Sequence, residues 1–197
     1  MGFRYEIRLG GSGGQGLILI GIIFAEAVGL HEGLHVVQTQ SYGPEARGGA
    51  SKSEIVVSDE EIDYPKADNP DLLLAMTQAS CDLYFRDLKE GGTLLLDSTF
   101  VKQVPKPTAI QIPLTTLAKE HLGRDIVANI VALGALSQMT DLVSMASLKS
   151  ALLARVPKGT EEINKKALHL GSREARKALK EMKSKEPIDY RLEETSV

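Results

Sequence analysis

Residues 4–9 alternate Arg4, Glu6 and Arg8 against Tyr5, Ile7 and Leu9, a two-residue period that predicts a half-buried strand. Five glycines crowd positions 10–16, and an apolar run from Leu17 to Val28 then predicts three helical turns. A strand, a tight glycine turn and a helix in that order make the first unit of a wound α/β domain. The pattern continues with strands at 34–40 and 50–57, and a short buried strand at 71–76. Thr77 is a plausible N-cap of a helix reaching about Leu88, with Cys81 inside it. Strands follow at 93–97 and 109–113, where Pro113 suggests an edge or a strand end.

Helices close the chain. Residues 114–121 are rich in threonine and leucine, and residues 123–136 are apolar nearly all round, with Asp125 as the candidate N-cap. Ser144 opens a short helix to Leu153, and Gly159-Thr160 opens a long one. In the long helix Ile163, Ala167, Leu170, Ala175, Ala178, Leu179 and Met182 form one narrow stripe, with lysine and glutamate on the other face. The expected fold is α/β: a Rossmann-like wound, mainly parallel sheet with helices on both faces and C-terminal helices. A single domain is expected over residues 1–185, followed by a tail at 186–197 whose order depends on a partner.

Composition narrows the function classes. A 43% hydrophobic share of 197 residues supports a sizeable core. The net charge of −3 gives no global attraction to nucleic acid. No N-terminal targeting signal and no membrane-length apolar run are expected, which points to a soluble cytoplasmic protein. Cys81 is the single cysteine, too few for an internal disulfide or for an iron–sulfur cluster held by this chain alone. His31, His35, His121 and His169 lack metal-ligand spacing, so no metal site is expected. No nucleophile elbow is present, nor a Gly-Asp-Gly…Asn pattern of the kind that holds the magnesium of thiamine diphosphate.

The candidate chemistry therefore rests on ligand-type loops. Gly11, Ser12, Gly13, Gly14, Gln15 and Gly16 match the Gly-x-Gly-x-x-Gly spacing of dinucleotide sites, whose helix N-terminus favours an anion. The ATPase phosphate loop is disfavoured, because Leu17 and Ile18 stand where lysine and serine or threonine are needed. The dinucleotide reading lacks its ribose-holding acid, since the second strand ends in Gln38-Thr39-Gln40. Tight turning and close helix packing explain the glycines equally well. A second glycine-rich loop, 41–49, carries Tyr42, Gly43, Arg47 and Gly48, and parallel strands would place it at the sheet edge of the first turn. Arg47 offers a fork to a carboxylate or phosphate, or else makes an ordinary surface contact with a glutamate. Asn129, inside an apolar helix, needs hydrogen-bond partners, from a neighbouring loop or from a ligand. Gly134 permits a close helix approach.

Three stretches together, Gly11-Ser12-Gly13-Gly14-Gln15-Gly16, then residues 41–49 (Ser-Tyr-Gly-Pro-Glu-Ala-Arg-Gly-Gly), then Asn129 with Gly134, resemble the gamma subunit of 2-oxoacid:ferredoxin oxidoreductases. The likeness covers residues 4–180 and is greatest to the 2-oxoglutarate members; pyruvate, branched-chain and indolepyruvate enzymes share most of it. The resemblance implies a multi-subunit complex that oxidatively decarboxylates a 2-oxoacid to acyl-CoA and carbon dioxide and reduces ferredoxin. It implies that sister subunits carry thiamine diphosphate, Mg2+ and iron–sulfur clusters, with coenzyme A as a substrate. Gly11 to Gly16 would then contact coenzyme A. Tyr42, Gly43, Arg47, Gly48 and Asn129 would contact substrate or a subunit interface. Two other classes remain open on the residues alone: a free-standing NAD-dependent reductase and a scaffolding module without a ligand.

Overall fold

The computed structural model describes residues 2–42 and 50–185. Six strands form one sheet: β1 (Arg4–Ser12), β2 (His35–Tyr42), β3 (Ala50–Ser58), β4 (Leu72–Ala75), β5 (Thr93–Asp97) and β6 (Ile110–Ile112), in the order β2-β3-β1-β4-β5-β6. β1, β4, β5 and β6 pair in parallel, whereas β3 is antiparallel to both β1 and β2. Five strands thus run one way, as expected of a mainly parallel sheet, and β3 alone runs against them. The reason lies in the connections. Only residues 43–49 link β2 to β3, a hairpin-length join that forces reversal, while each parallel neighbour is reached through a longer crossover.

The helices are α1 (Leu17–Glu26), α2 (Gln78–Tyr84), α3 (Leu114–Leu122), α4 (Ala128–Leu136), α5 (Met145–Arg155) and α6 (Glu161–Lys185). A π-helical turn, Ala27–Glu32, extends α1 toward β2. α1, α3, α4, α5 and α6 share one apolar core with Ile7, Leu9, Leu72, Leu74 and Leu95 of the sheet. The opposite face carries a smaller cluster, Leu73, Ala75, Leu94 and Leu96 under Cys81 and Tyr84 of α2. Helices therefore lie on both faces, unequally.

β1 departs from its half-buried expectation. Ile7 and Leu9 are fully buried, but so nearly are Glu6 and Arg8 on the other side. Charge pairing makes this tolerable. Arg8 donates to Glu54 Oε1 at 2.9 Å, to Asp87 and to the Ala67 carbonyl, and its guanidinium lies 5.4 Å from the Tyr84 ring centroid.

All of α4 is buried, and its chief cover is α6. Gly134 and Gly171 make that approach possible: a Cβ on either would run into the backbone of the facing helix, at Leu168 and Val131 respectively. Thr77 caps α2 through a reciprocal bond pair with Ser80, and Ser144 caps α5 by accepting from Ser147 N–H at 3.1 Å. Asp125 is not the cap expected of it. It begins a 3-10 turn, Asp125–Val127, that precedes α4, and no side chain caps either segment.

Candidate functional site

The site is built where β1 ends and α1 begins. After Ser12 the chain turns through Gly13 and Gly14, and Gln15 pins the turn from both sides. Its backbone N–H donates to the Ser12 carbonyl at 3.3 Å, and its side-chain Oε1 accepts the Ser12 N–H at 2.8 Å. Gly14 and Gly16 have φ of +88° and +73°, left-handed values that only glycine adopts without strain. Gly16 occupies the N-cap position, so α1 starts with no side-chain cap and no acidic residue in its first turn. Its first N–H groups are left to water or a ligand.

The six residues singled out by spacing do different things. Gly11 is buried in β1, and Gln15 and Leu17 fill the space a Cβ there would need, so its smallness serves packing. Gly13 and Gly14 are exposed, with nothing within 4 Å of a built Cβ. Only these two leave backbone open to a guest.

Asn129 arrives from 113 residues further along. Its Oδ1 accepts the Ile130 N–H at 2.9 Å, and its Nδ2 makes one long contact, 3.5 Å, to the Gly16 carbonyl. The neighbouring loop is thus the glycine turn itself. Gly14, Gln15 and Asn129 line a cleft of about 340 Å³ with Met76, Phe100, Thr115, Asp125, Ile126 and Ala128. Both amide oxygens are engaged internally, which leaves amide N–H groups as donors. No lysine or arginine lines the cleft, and Asp125 is its one carboxylate, among the described residues. Buried Asp97 fixes one wall by accepting from the Thr115 hydroxyl at 2.5 Å and the Thr99 N–H at 3.0 Å.

Phe100 and Ile126 were not anticipated as site residues. They are 48% and 77% exposed at the cleft. The sequence placed Ile126 inside a buried helix; the 3-10 turn rotates it outward. The available signal was a pair of apolar residues set among Ser98-Thr99 and Arg124-Asp125.

Gly43, Arg47 and Gly48 lie outside the described residues. The ends of their loop are tied by register: Tyr42 pairs with Ser51, Ser51 with Gly11, and Ala50 with Ser12. The backbone entry and exit of that loop therefore sit at the rim where the glycine turn sits, with Tyr42 two strands, roughly 10 Å, from Gly11.

A dinucleotide fits poorly. β3 separates β2 from β1, so the strand that would hold the ribose is displaced, and it bears no carboxylate from Val36 to Tyr42. Cys81 lies on the opposite sheet face, on the buried side of α2, with its thiol pKa pushed up to about 11 by burial and then by Asp82. No group of three metal-ligating side chains is assembled among the described residues. Among the described residues the polar side chains lining the cleft are Gln15, Thr115, Asp125 and Asn129, groups that can bind and orient a ligand.

The family model described as pyruvate ferredoxin/flavodoxin oxidoreductase matches residues 6–174. This chain belongs to that family. It is 52% identical over 172 residues to the 2-oxoglutarate synthase subunit KorC of Methanocaldococcus jannaschii, covering 85% of this chain and 92% of that one. The crystal structure of the gamma subunit of a keto/oxoacid ferredoxin oxidoreductase from Geobacter sulfurreducens superposes with a TM-score of 0.80 at 49% identity, over 90% of this chain and 98% of that one. A 2-oxoglutarate:ferredoxin oxidoreductase from Magnetococcus marinus, with 2-oxoglutarate, coenzyme A and succinyl-CoA bound, matches with a TM-score of 0.78 at 26% identity. That match covers 88% of this chain but 31% of the other, so there the same fold is part of a longer chain.

Proposed function

We propose that this chain is the gamma-type subunit of a 2-oxoglutarate:ferredoxin oxidoreductase and finishes the coenzyme A region at its contact with the thiamine-bearing subunit. The observation that carries the reading is the donor-lined cleft at an uncapped helix start, in a chain similar along most of its length to 2-oxoglutarate synthase subunits. The complex converts a 2-oxoacid and coenzyme A to acyl-CoA and carbon dioxide, releasing one proton and passing two electrons to ferredoxin.

Thiamine diphosphate, Mg2+ and iron–sulfur clusters do not fit this chain's donors. One buried cysteine and no assembled ligand group among the described residues support the reading in which sister subunits carry them. What this chain's residues do is narrower. The Gly13-Gly14 backbone and the Gln15 and Asn129 amides hold a neutral, acceptor-rich portion of the ligand, and Arg47 supplies charge to a phosphate or carboxylate. Phe100 and Ile126 exclude water where a sister subunit seats. Residues 1–185 act as one domain. No described helix is long and apolar enough to cross a membrane. The complex works in the cytoplasm.

Asn129→Ala and Arg47→Ala test the reading in the complex reassembled with its sister subunits. Each is expected to raise the KM for coenzyme A about tenfold, the loss of one ligand hydrogen bond. The chain alone is expected to show no turnover. Unchanged affinities for coenzyme A and 2-oxoacid, together with unchanged subunit association, would sink the assignment.

A further inference from the structure

Thr115 carries the one hydroxyl that lines the cleft among the described residues. Its surroundings fix what that hydroxyl can do. Pro113 precedes α3 and offers no side-chain cap, so free N–H groups of the helix start are met from the end of β5 instead. Asp97 accepts the Thr115 N–H at 3.3 Å, and the Thr99 hydroxyl accepts the Thr116 N–H at 3.1 Å. Asp97 is fully buried, and it also takes the Thr115 hydroxyl proton at 2.5 Å, the short distance of an O–H held by a carboxylate. Turning that proton toward the cleft would strip a donor from a buried charge. A hydroxyl has one proton and two lone pairs. With the proton committed to Asp97, a ligand meets only lone pairs.

The cleft thus holds both kinds of partner. At the glycine turn stand donors: the exposed Gly14 backbone and Asn129 Nδ2, whose contact to the Gly16 carbonyl is long, 3.5 Å. From α3 and the 3-10 turn come acceptors: Thr115 and the exposed Asp125 carboxylate. An ionised phosphate or carboxylate offers no donor and is repelled by Asp125. A trans secondary amide offers one of each, its carbonyl and its N–H pointing opposite ways.

We propose, on the coenzyme A reading above, that Thr115 is the acceptor that reads an amide N–H of the ligand, so that the cleft takes the amide-bearing chain of coenzyme A and not its phosphates. That chain carries two secondary amides separated by methylenes, and Met76, Phe100, Ile126 and Ala128 give the cleft apolar lining for the methylenes. Asp97 is then a positioning residue: it is buried away from the ligand and sets the sense in which Thr115 acts.

Two coenzyme A analogues, each with one amide N–H replaced by an ester oxygen, test this by calorimetric titration of the complex reassembled with its sister subunits. One analogue is expected to bind the native complex about tenfold more weakly than coenzyme A, because its ester oxygen sets lone pairs against lone pairs. In Thr115→Val, which keeps the shape and loses the oxygen, coenzyme A itself weakens about tenfold and the ester penalty falls below about threefold. Thr115→Ser, which keeps the hydroxyl, retains the native affinity and the penalty. Adenosine 3′,5′-bisphosphate lacks the amides and is expected to bind all three complexes alike, which separates a lost N–H contact from a damaged fold. Should Thr115→Val fail to assemble, Thr115→Ala carries the same expectations. Equal binding of coenzyme A and both analogues by the native complex, or a penalty that the valine variant leaves unchanged, would overturn the proposal. Asn129→Ala keeps the two readings apart. If it weakens coenzyme A binding and Thr115→Val does not, the cleft holds the ligand without Thr115; if neither does, the coenzyme A reading falls and this proposal with it.

Discussion

The two faces of the central sheet are covered by opposite means. On one, α1 and α3 to α6 bury Ile7, Leu9, Leu72, Leu74 and Leu95 in a single large apolar core. On the other, one short helix and a 3-10 turn, Phe85–Asp87, cover a small cluster, and beside it Glu6, Arg8 and Glu54 are buried as charged groups. The first face is secured by backbone proximity and area, the second by ion pairs that must all be satisfied. Area burial degrades gradually when an atom is trimmed, whereas a buried charge that loses its partner is penalised at once. The thick face also supplies the site: α4 brings Asn129 to the glycine turn, and α6 holds α4 in place.

The comparison breaks most severely at the glycine contact between α4 and α6. Gly171→Leu places side-chain atoms where the Val131 carbonyl stands, and backbone cannot step aside. A loss of roughly 3 kcal/mol or more is expected in urea unfolding, or failure to fold. A change under about 1 kcal/mol would show that the helices are more loosely joined than their spacing indicates.

Arg8→Ala is expected to cost about 3 kcal/mol, because Glu54 is then left buried with Lys52 as its remaining partner. Arg8→Met with Glu54→Leu should recover most of that loss, since an apolar pair of similar size replaces the ions. Equal destabilisation by the single and the double variant, read from the same urea melts, would mean that the charges hold this face in a way shape alone does not.

The smallest effect concerns Cys81. Its folded pKa is raised from 9.0 to about 11 by burial and then by Asp82. A raised folded pKa stabilises fully below the unfolded value and loses that contribution as pH climbs through the folded one. Stability should therefore be level in this respect to about pH 9 and fall toward pH 11. At pH 8 a thiol reagent should label the native chain only as fast as the thin face opens. Labelling within seconds in native buffer would contradict the burial.

Much of this was readable beforehand where a local pattern decides it. The strand at 93–97, the cap at Thr77 and the Ser144 helix follow from run length and capping chemistry, and each stands where expected. Ile126 and Asp125 were misread because a 3-10 start shifts the helical phase, and an apolar run does not reveal where its phase begins. The glycine turn was legible as a turn. Which of its glycines serve packing and which face open space was not, because that depends on Gln15, Leu17 and Asn129 arriving in three dimensions.

By itself the sequence determined the elements and the chemistry available: alternation for β1, left-handed glycines for the turn, an all-apolar α4 that had to be enclosed, and a single cysteine. Tertiary structure decided the rest. It inserted β3 between β1 and β2, buried Arg8 among carboxylates, and set Asn129 beside Gly16 across 113 residues. Periodicity reports which side of its own element a residue takes. It carries nothing about which distant element will lie against that side, because that choice minimises the free energy of the whole assembled chain.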